Sequence, residues 1–177
     1  MKLPLLFAAL SVALVSASAQ EPDITKIRIK EVPEKQFFCA KKQLKIADVG
    51  GFATATLPML VEKAVQLKLA QNGPIVLSYI GFKGDPEEPF TLEADFPVHA
   101  ADNDYRGDFY FRALPKFKCA SVIFQGPVAG MGAAWGKLVE QAIAAGHQPN
   151  GESREVFLSW ESPESQNNII ELQFGIQ

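Results

Sequence analysis

The chain has 177 residues, of which 17 are Lys or Arg and 20 are Asp or Glu, and its formal net charge at pH 7 is −3. It contains no block of basic residues, so nucleic acid is not expected as a partner. The composition is that of a globular protein with 13 Phe and only two cysteines, Cys39 and Cys119.

The first 19 residues have the pattern of a secretory signal peptide. Lys2 gives a positive start, residues 3–15 are almost wholly apolar, and Ala17-Ser18-Ala19 is the small-residue pattern after which signal peptidase cuts. The apolar run is shorter than the roughly 20 residues of a membrane-spanning helix, so no stable membrane insertion is expected. We predict that residues 20–177 form one domain of net charge about −4, located in the periplasm or secreted.

The sequence after residue 19 contains an internal duplication. FFCA at 37–40 matches FKCA at 117–120, and LVE at 60–62 recurs at 138–140. LSY at 77–79 matches LSW at 158–160, and LEADFPV at 92–98 matches IELQFGI at 170–176. The matches keep their order, with offsets of 78 to 81 residues. They define two halves, at about 36–98 and 114–177.

Each half is predicted to contain a strand, a helix and two further strands. The strands are expected at 36–46, 75–82 and 90–98, and then at 116–125, 155–161 and 168–176, with an extra strand at 24–32. Segment 99–115 joins the halves. Apolar residues at helical spacing predict two helices that lie on a sheet, and these residues are Leu57, Leu60, Val61, Ala64 and Val65, then Trp135, Leu138, Val139, Ala142 and Ile143.

The first helix is expected to start near Thr56-Leu57-Pro58, and the stop signals are Asn72-Gly73-Pro74 and Gly146. The predicted fold class is therefore α+β. It has two tandem strand–helix–strand–strand units about a pseudo-twofold axis, a curved antiparallel sheet with two helices, and a central cleft.

The alternation of side chains along the strands indicates which residues line this cleft. On the strand at 155–161, Val156, Leu158 and Trp160 are predicted to face the core, and Tyr79 is matched with Trp160. The opposite faces carry the polar candidates, namely Glu155, Phe157, Ser159, Glu171, Gln173, Glu93 and Asp95. A cleft with aromatic walls and carboxylates suits an apolar or cationic small molecule. The alternative is the solvated outer face of an antiparallel sheet.

Several short motifs occur in a fixed order in the second half of the chain, namely Leu114-Pro115, Gly126-Pro127, Ala134-Trp135 with Leu138, Arg154-Glu155-Val156 before an aromatic residue, and the closing ELQFGI at 171–176. With these motifs, residues 114–163 resemble the GyrI-like small-molecule-binding domain, which is also the effector-binding domain of AraC-type and multidrug-responsive regulators. The family fold has two strand–helix–strand–strand units around a cleft. The resemblance implies a stand-alone, exported version of this domain.

The resemblance also implies a role for Glu155, because the family places a ligand-contacting glutamate at this position. The chain differs from the family pattern at two positions: Phe157 replaces a common tyrosine, and Val128 replaces a common aromatic residue. The first hypothesis is a binding protein without a cofactor that holds an apolar or cationic ligand. A second is a hydrolase of small electrophilic compounds that uses Glu155 as acid or base. A third is a structural or partner-binding protein with a closed cleft.

The related SOUL haem-binding family shares this architecture, so a haem or tetrapyrrole binder is a further alternative. Neither His99 nor His147 has an axial-ligand context or a metal-ligand spacing. The matched cysteines follow from the duplication alone. Export and an even cysteine count nevertheless make a Cys39–Cys119 disulfide a candidate, on the condition that their Cα atoms lie within roughly 7 Å.

Overall fold

The computed structural model describes residues 24–102 and 104–177, so the predicted signal peptide lies outside the described residues. Two helices and eight strands follow the order β1, β2, α1, β3, β4, β5, β6, α2, β7, β8. Their bounds are β1 Arg28–Val32, β2 Lys35–Leu44, α1 Val49–Gln66, β3 Val76–Ile80, β4 Phe90–Val98, β5 Tyr110–Leu114, β6 Phe117–Gln125, α2 Met131–Ala144, β7 Pro149–Ser159 and β8 Ile169–Ile176. No helix within these residues is long and apolar enough to span a membrane.

All eight strands form a single antiparallel sheet in the order β1-β6-β8-β7-β3-β4-β2-β5. Unit one is β2-α1-β3-β4, and unit two is β6-α2-β7-β8. Their central strands, β3 and β7, pair with each other, so the two units are related by a pseudo-twofold axis. The predicted fold class is confirmed.

The strand pairings fix which residues of the two units are equivalent. Val76 pairs with Asp95 in unit one, and Arg154 pairs with Gln173 in unit two, so β3 and β4 match β7 and β8 with an offset of 78 residues. With that offset, Leu77 is the equivalent of Glu155, and these two residues also pair directly with each other. The pseudo-twofold axis therefore passes through the Leu77–Glu155 pair.

The first strands of the units follow a different offset. Cys39 pairs with Asp95, and Ser121 pairs with Gln173, so β2 matches β6 with an offset of 82 residues. The offset changes across the helices because α1 has 18 residues and α2 has 14. Cys39 is thus equivalent to Ser121, whereas the sequence match of FFCA with FKCA pairs it with Cys119, two residues away.

The segment predicted as a simple connection between the halves contains β5. β5 precedes unit two in the chain but pairs with β2 of unit one, and β1 precedes unit one but pairs with β6 of unit two. β1 and β5, here called the arm strands, are therefore exchanged between the units. Val32-Pro33 before β2 and Leu114-Pro115 before β6 are equivalent, and this match was the sequence signal for β5.

The first helix begins earlier than predicted. α1 starts at Val49, so Gly50 and Gly51 form its first turn, and Pro58 lies inside the helix. The first turn of a helix has no intrahelical use for its N–H groups, so weak helix formers are tolerated there. α1 also ends at Gln66, before the predicted stop, whereas α2 ends just before Gly146, which has a positive φ of 86°.

The face of the sheet that carries the helices holds most of the core. Leu60 and Ala64 of α1 and their equivalents Leu138 and Ala142 of α2 are fully buried in two separate clusters, one per unit. The outer residues of each predicted stripe, among them Val61, Val65 and Ile143, are exposed. The predicted stripe is therefore correct in its centre and too wide at one side.

The opposite face, here called the inner face, lies inside the curve of the sheet. Arg112 Nη2 on β5 is 3.7 Å from Glu152 Oε2 on β7, although three strands separate β5 from β7. Four strand spacings of a flat sheet span about 19 Å, so the sheet must curl toward this face. Leu114, Phe37 and Val76 are buried there as a third, small apolar cluster.

Candidate functional site

A groove runs between the two helices. Each helix packs on the outer strands of its own unit, α1 on β2 and β4 and α2 on β6 and β8. The central strands β3 and β7 are therefore flanked by the helices and form the floor of the groove. The pseudo-twofold axis passes through this floor.

The walls of the groove are apolar. Trp135 reaches the floor from α2, and Val139 and Ile143 follow on the same side of that helix at spacings of four residues. Their equivalents on α1 are Leu57, Val61 and Val65. Val65 is 68 % exposed and Ile143 is 52 % exposed. Exposed aliphatic residues at equivalent places on both helices give the groove an apolar surface on each side.

Glu155 is the charged residue at the centre of the floor. Its side chain is 3 % exposed, and each carboxylate oxygen accepts one hydrogen bond. The indole Nε1 of Trp135 donates to Oε1 over 3.0 Å, and the hydroxyl of Tyr79 donates to Oε2 over 2.9 Å. The carboxylate is thus held by one residue from each unit.

The electrostatics of this group follow from its burial. Loss of solvent raises the pKa of Glu155, and the hydrogen bonds from Trp135 and Tyr79 oppose that rise because they stabilise the charged form. Burial beside the carboxylate also raises the pKa of Tyr79 well above its ordinary value. Tyr79 therefore acts as a neutral hydrogen-bond donor.

Tyr79 is a site residue that the sequence analysis missed. The match of LSY at 77–79 with LSW at 158–160 has an offset of 81 and pairs Tyr79 with Trp160, whereas the structural equivalent of Tyr79 is Phe157. Side chains alternate between the two faces of a sheet, so an error of three residues in the offset exchanges the faces and assigns the side chains of β7 to the wrong one. Glu155 and Phe157 do share a face, but it is the helix face, and Val156 lies on the inner face.

The other predicted residues are not together with Glu155. Glu93, Asp95, Glu171 and Gln173 lie on the inner face, where their register partners are Ser78, Val76, Val156 and Arg154. Ser159 is exposed at the end of β7, beyond a register shift that follows Phe157. The prediction of one shared cleft for all of these side chains is therefore wrong.

The comparison with known families decides the classification. Residues 25–177 match the family model of the GyrI-like small molecule binding domain. The chain belongs to the GyrI-like family. No curated protein matches the chain.

Solved structures of low sequence identity share this GyrI-like fold. EcmrR in a DNA complex matches with a TM-score of 0.74 and 18 % identity, covering 86 % of this chain and 57 % of that chain. The EcmrR C-terminal domain alone matches with a TM-score of 0.68 and 17 % identity, covering 86 % and 97 %. This chain therefore spans little more than half of EcmrR.

Two further structures have the fold. SAV2435, bound to tetraphenylphosphonium, has a TM-score of 0.60 at 10 % identity, with coverage of 86 % of this chain and 94 % of that chain. A hydrolase encoded by lin2189 from Listeria innocua has a TM-score of 0.54 at 12 % identity, with coverage of 88 % and 93 %. These likenesses establish the fold alone.

On the inner face of this GyrI-like domain, Glu93 and Glu171 are equivalent residues, and each forms an ion pair with a basic residue of an arm strand. Lys30 Nζ on β1 lies 2.5 Å from Glu171 Oε1 on β8. Arg112 on β5 makes the equivalent ion pair with Glu93 on β4. Each exchanged arm strand is therefore fastened to the last strand of the other unit. Both glutamates bind the protein's own basic residues.

Two buried acceptor atoms, Asp95 Oδ1 and Gln173 Oε1, have no hydrogen-bond partner within residues 24–102 and 104–177. They also occupy equivalent positions. The other oxygen of Asp95 accepts a 2.6 Å hydrogen bond from Ser78. Burial raises the pKa of Asp95 to about 6, and the hydrogen bond from Ser78 and the positive charge of Arg154 oppose that rise.

The remaining predicted chemical groups are apart from the groove. Cys39 and Cys119 are both buried free thiols. The candidate disulfide is absent because the cysteines are on β2 and β6, five strand spacings or about 24 Å apart along the sheet, and are not equivalent by the axis. His99 is exposed after β4, and His147 lies between α2 and β7. No group of three potential metal ligands occurs among the described residues.

Asp95 makes the stability of the protein depend on pH. Its pKa is about 6 in the folded protein and 3.8 in the unfolded reference, so the folded state binds the proton more readily. The free energy of unfolding is therefore expected to fall as pH rises from about 4 to 7, by up to about 3 kcal/mol for a shift of two units. Asp95→Asn should remove this decrease in urea unfolding measured at pH 4, 5, 6 and 7.5.

Asp108→Asn is the matched control, because it removes an exposed carboxylate. Identical pH profiles for Asp95→Asn and the unmodified protein would contradict this assignment.

Proposed function

We propose that this protein binds a lipophilic cation in the groove between its helices, with Glu155 as the counter-charge. The observation that carries the proposal is a single buried carboxylate on the pseudo-twofold axis, between apolar walls from both helices. A buried charge is poorly screened, so a ligand cation that reaches it gains a strong attraction. The apolar walls supply the burial of hydrophobic ligand surface.

The hydrogen bonds of Glu155 specify the kind of cation. Both carboxylate oxygens already accept a hydrogen bond, from Trp135 and from Tyr79. A cation without N–H donors neutralises the charge and leaves both bonds in place. An ammonium ion competes with the two donors for the oxygens. The groove therefore favours quaternary or delocalised cations over primary amines.

The aromatic residues around Tyr79 and Phe157 support the same ligand class. The Tyr79 ring stacks on Phe90 with centroids 5.5 Å apart, and the Phe157 ring contacts Trp160 edge-on at 5.4 Å. Aromatic faces attract cations. The family description as a small-molecule-binding domain and the tetraphenylphosphonium bound to SAV2435 are consistent with the proposal.

Isothermal titration calorimetry with tetraphenylphosphonium tests this function. We expect binding by the unmodified protein and at least a tenfold weaker affinity for Glu155→Gln, because the ligand then loses the buried counter-charge of the groove. Glu140→Gln is the matched control, since it removes an exposed carboxylate from α2.

Equal affinity of the Glu155→Gln and Glu140→Gln proteins would contradict the role of Glu155. No binding of any lipophilic cation would favour the third hypothesis, a closed cleft.

Hydrolysis is the second candidate function, and the Tyr79–Glu155 hydrogen bond favours it. The tyrosine missing at position 157 is supplied by the opposite unit at position 79. In such a reaction Glu155 accepts a proton from water, the water oxygen bonds to an electrophilic carbon, and the leaving group departs with its electron pair. The hydrolase from Listeria innocua has the same fold.

p-Nitrophenyl acetate is a suitable first substrate for this test. Turnover at the groove should fall at least tenfold in Glu155→Gln and clearly in Tyr79→Phe. Tyr110→Phe is the control, since Tyr110 donates to Glu93 on the inner face. Equal release of p-nitrophenol by all four proteins would leave binding as the function.

We also propose that the protein acts outside the cytoplasm, on the basis of the signal-peptide pattern in residues 1–19. The exported protein should begin at Gln20 in N-terminal sequencing, and a cytoplasmic full-length chain would contradict export. The absence of a nucleic-acid partner and of a cofactor remain predictions. EcmrR is seen with DNA, but this chain spans only 57 % of it.

A further inference from the structure

A cavity of about 150 Å³ lies on the inner face of unit two, between β1, β6 and β8. The residues around it that matter here are Arg28, Lys30, Ser121, Ile123 and Glu171. This cavity is on the opposite face of the sheet from the groove and does not include Glu155. It is therefore independent of the proposed function.

The pseudo-twofold axis identifies what occupies the equivalent place in unit one. With the offset of 82 residues, Arg28 corresponds to Tyr110, Lys30 to Arg112 and Ile123 to Lys41. Glu171 corresponds to Glu93, with the offset of 78. In unit one the residue at this place is Tyr110, whose hydroxyl reaches Glu93.

The contacts of Tyr110 define the chemistry of that place. Its hydroxyl donates a 2.6 Å hydrogen bond to Glu93 Oε1, and the ammonium of Lys41 lies 4.8 Å from the centre of its ring. Glu93 is at the same time paired with Arg112. An aromatic ring with a hydroxyl group is thus accepted beside an ion-paired glutamate.

Unit two keeps the glutamate and its ion pair but lacks the ring. Glu171 is paired with Lys30 through Oε1 and accepts a 2.9 Å hydrogen bond from Gln173 Nε2 at Oε2, and Arg28, which is exposed, borders the cavity. Ser121 lines the cavity while only 3 % exposed, and its hydroxyl has no side-chain hydrogen bond among the described residues. Beside it on β8, Gln173 Oε1 is buried and lacks a donor.

We infer that this cavity is a second binding site, which takes a small phenol in the place that the Tyr110 side chain fills in unit one. The phenol hydroxyl donates to Glu171 Oε2, the oxygen not paired with Lys30, beside the hydrogen bond from Gln173 Nε2, as Tyr110 donates to Glu93. The ring lies on Ile123, the aliphatic side chain of β6 that shares the inner face with Ser121. Gln173 Oε1 is a buried acceptor without a partner, so a ligand that donates a hydrogen bond is favoured near it.

p-Cresol is the probe, since it is the side chain of tyrosine without its backbone. Chemical shifts of backbone amides in β1, β6 and β8 should titrate with p-cresol, and toluene should bind roughly tenfold more weakly because it lacks the donor. Arg28→Tyr restores the residue of unit one and should abolish binding of p-cresol. Arg28→Ala leaves the cavity open and should keep the affinity within about threefold.

The site would be overturned if p-cresol shifted no amides of these three strands, if toluene bound equally well, or if Arg28→Tyr bound p-cresol like Arg28→Ala. Arg28 is exposed, so both variants are expected to fold. Glu155→Gln should bind p-cresol unchanged, and Arg28→Tyr should bind tetraphenylphosphonium unchanged. Failure at one site is therefore distinguishable from failure at the other.

Discussion

The pairing of β3 with β7 is the interaction on which the rest of this structure depends. Among the described strands it is the only ladder between the cores of the two units, the other inter-unit ladders being those of the exchanged arms. Because the axis maps this ladder onto itself, the two helices must lie at equal distances on either side of it. A groove with walls from both units follows from that symmetry, and its floor is where the two units meet.

The sequence was sufficient for the architecture because the duplication repeats the apolar pattern of each element. Strand β4 was predicted with its observed bounds, and the buried centres of both helices were predicted through Leu60, Ala64 and their equivalents. The exact register was harder, since short matches such as LSY with LSW tolerate a shift. A shift of three residues changes no strand assignment but moves every side chain of β7 to the other face.

Of the hydrogen-bonded residues Glu155, Tyr79 and Trp135, only Glu155 could be identified as a site residue from the sequence. Glu155 was identified from its family position, whereas Tyr79 and Trp135 reach it only because the axis brings β3, β7 and α2 together. Glu93 and Glu171 appeared as free carboxylates because their partners, Arg112 and Lys30, are on arm strands exchanged between the units. Such long-range pairing leaves no local signal in a sequence.

On the inner face, equivalent positions of the two units carry different side chains. Both units have a glutamate on the last strand and a basic residue on the arm strand, so the ion pair that holds the arm strand is present in each unit. The residue two positions before this basic residue differs between the units: it is Tyr110 in one and Arg28 in the other. The Tyr110 ring lies beside the ion-paired glutamate of unit one, whereas a cavity borders the equivalent glutamate of unit two.

The axis itself allows no such independent divergence. A residue on it faces its own equivalent, so a glutamate in both units would place two carboxylates directly opposite each other, about 5 Å apart at Cβ. Like charges at that distance in a buried floor cannot both remain ionised, and one pKa would rise strongly. The observed pair, Glu155 with Leu77, gives one charge with an aliphatic neighbour. A twofold groove therefore holds one carboxylate at its centre, and the ligand that we propose for it is accordingly a compact cation of charge one with apolar arms on both sides.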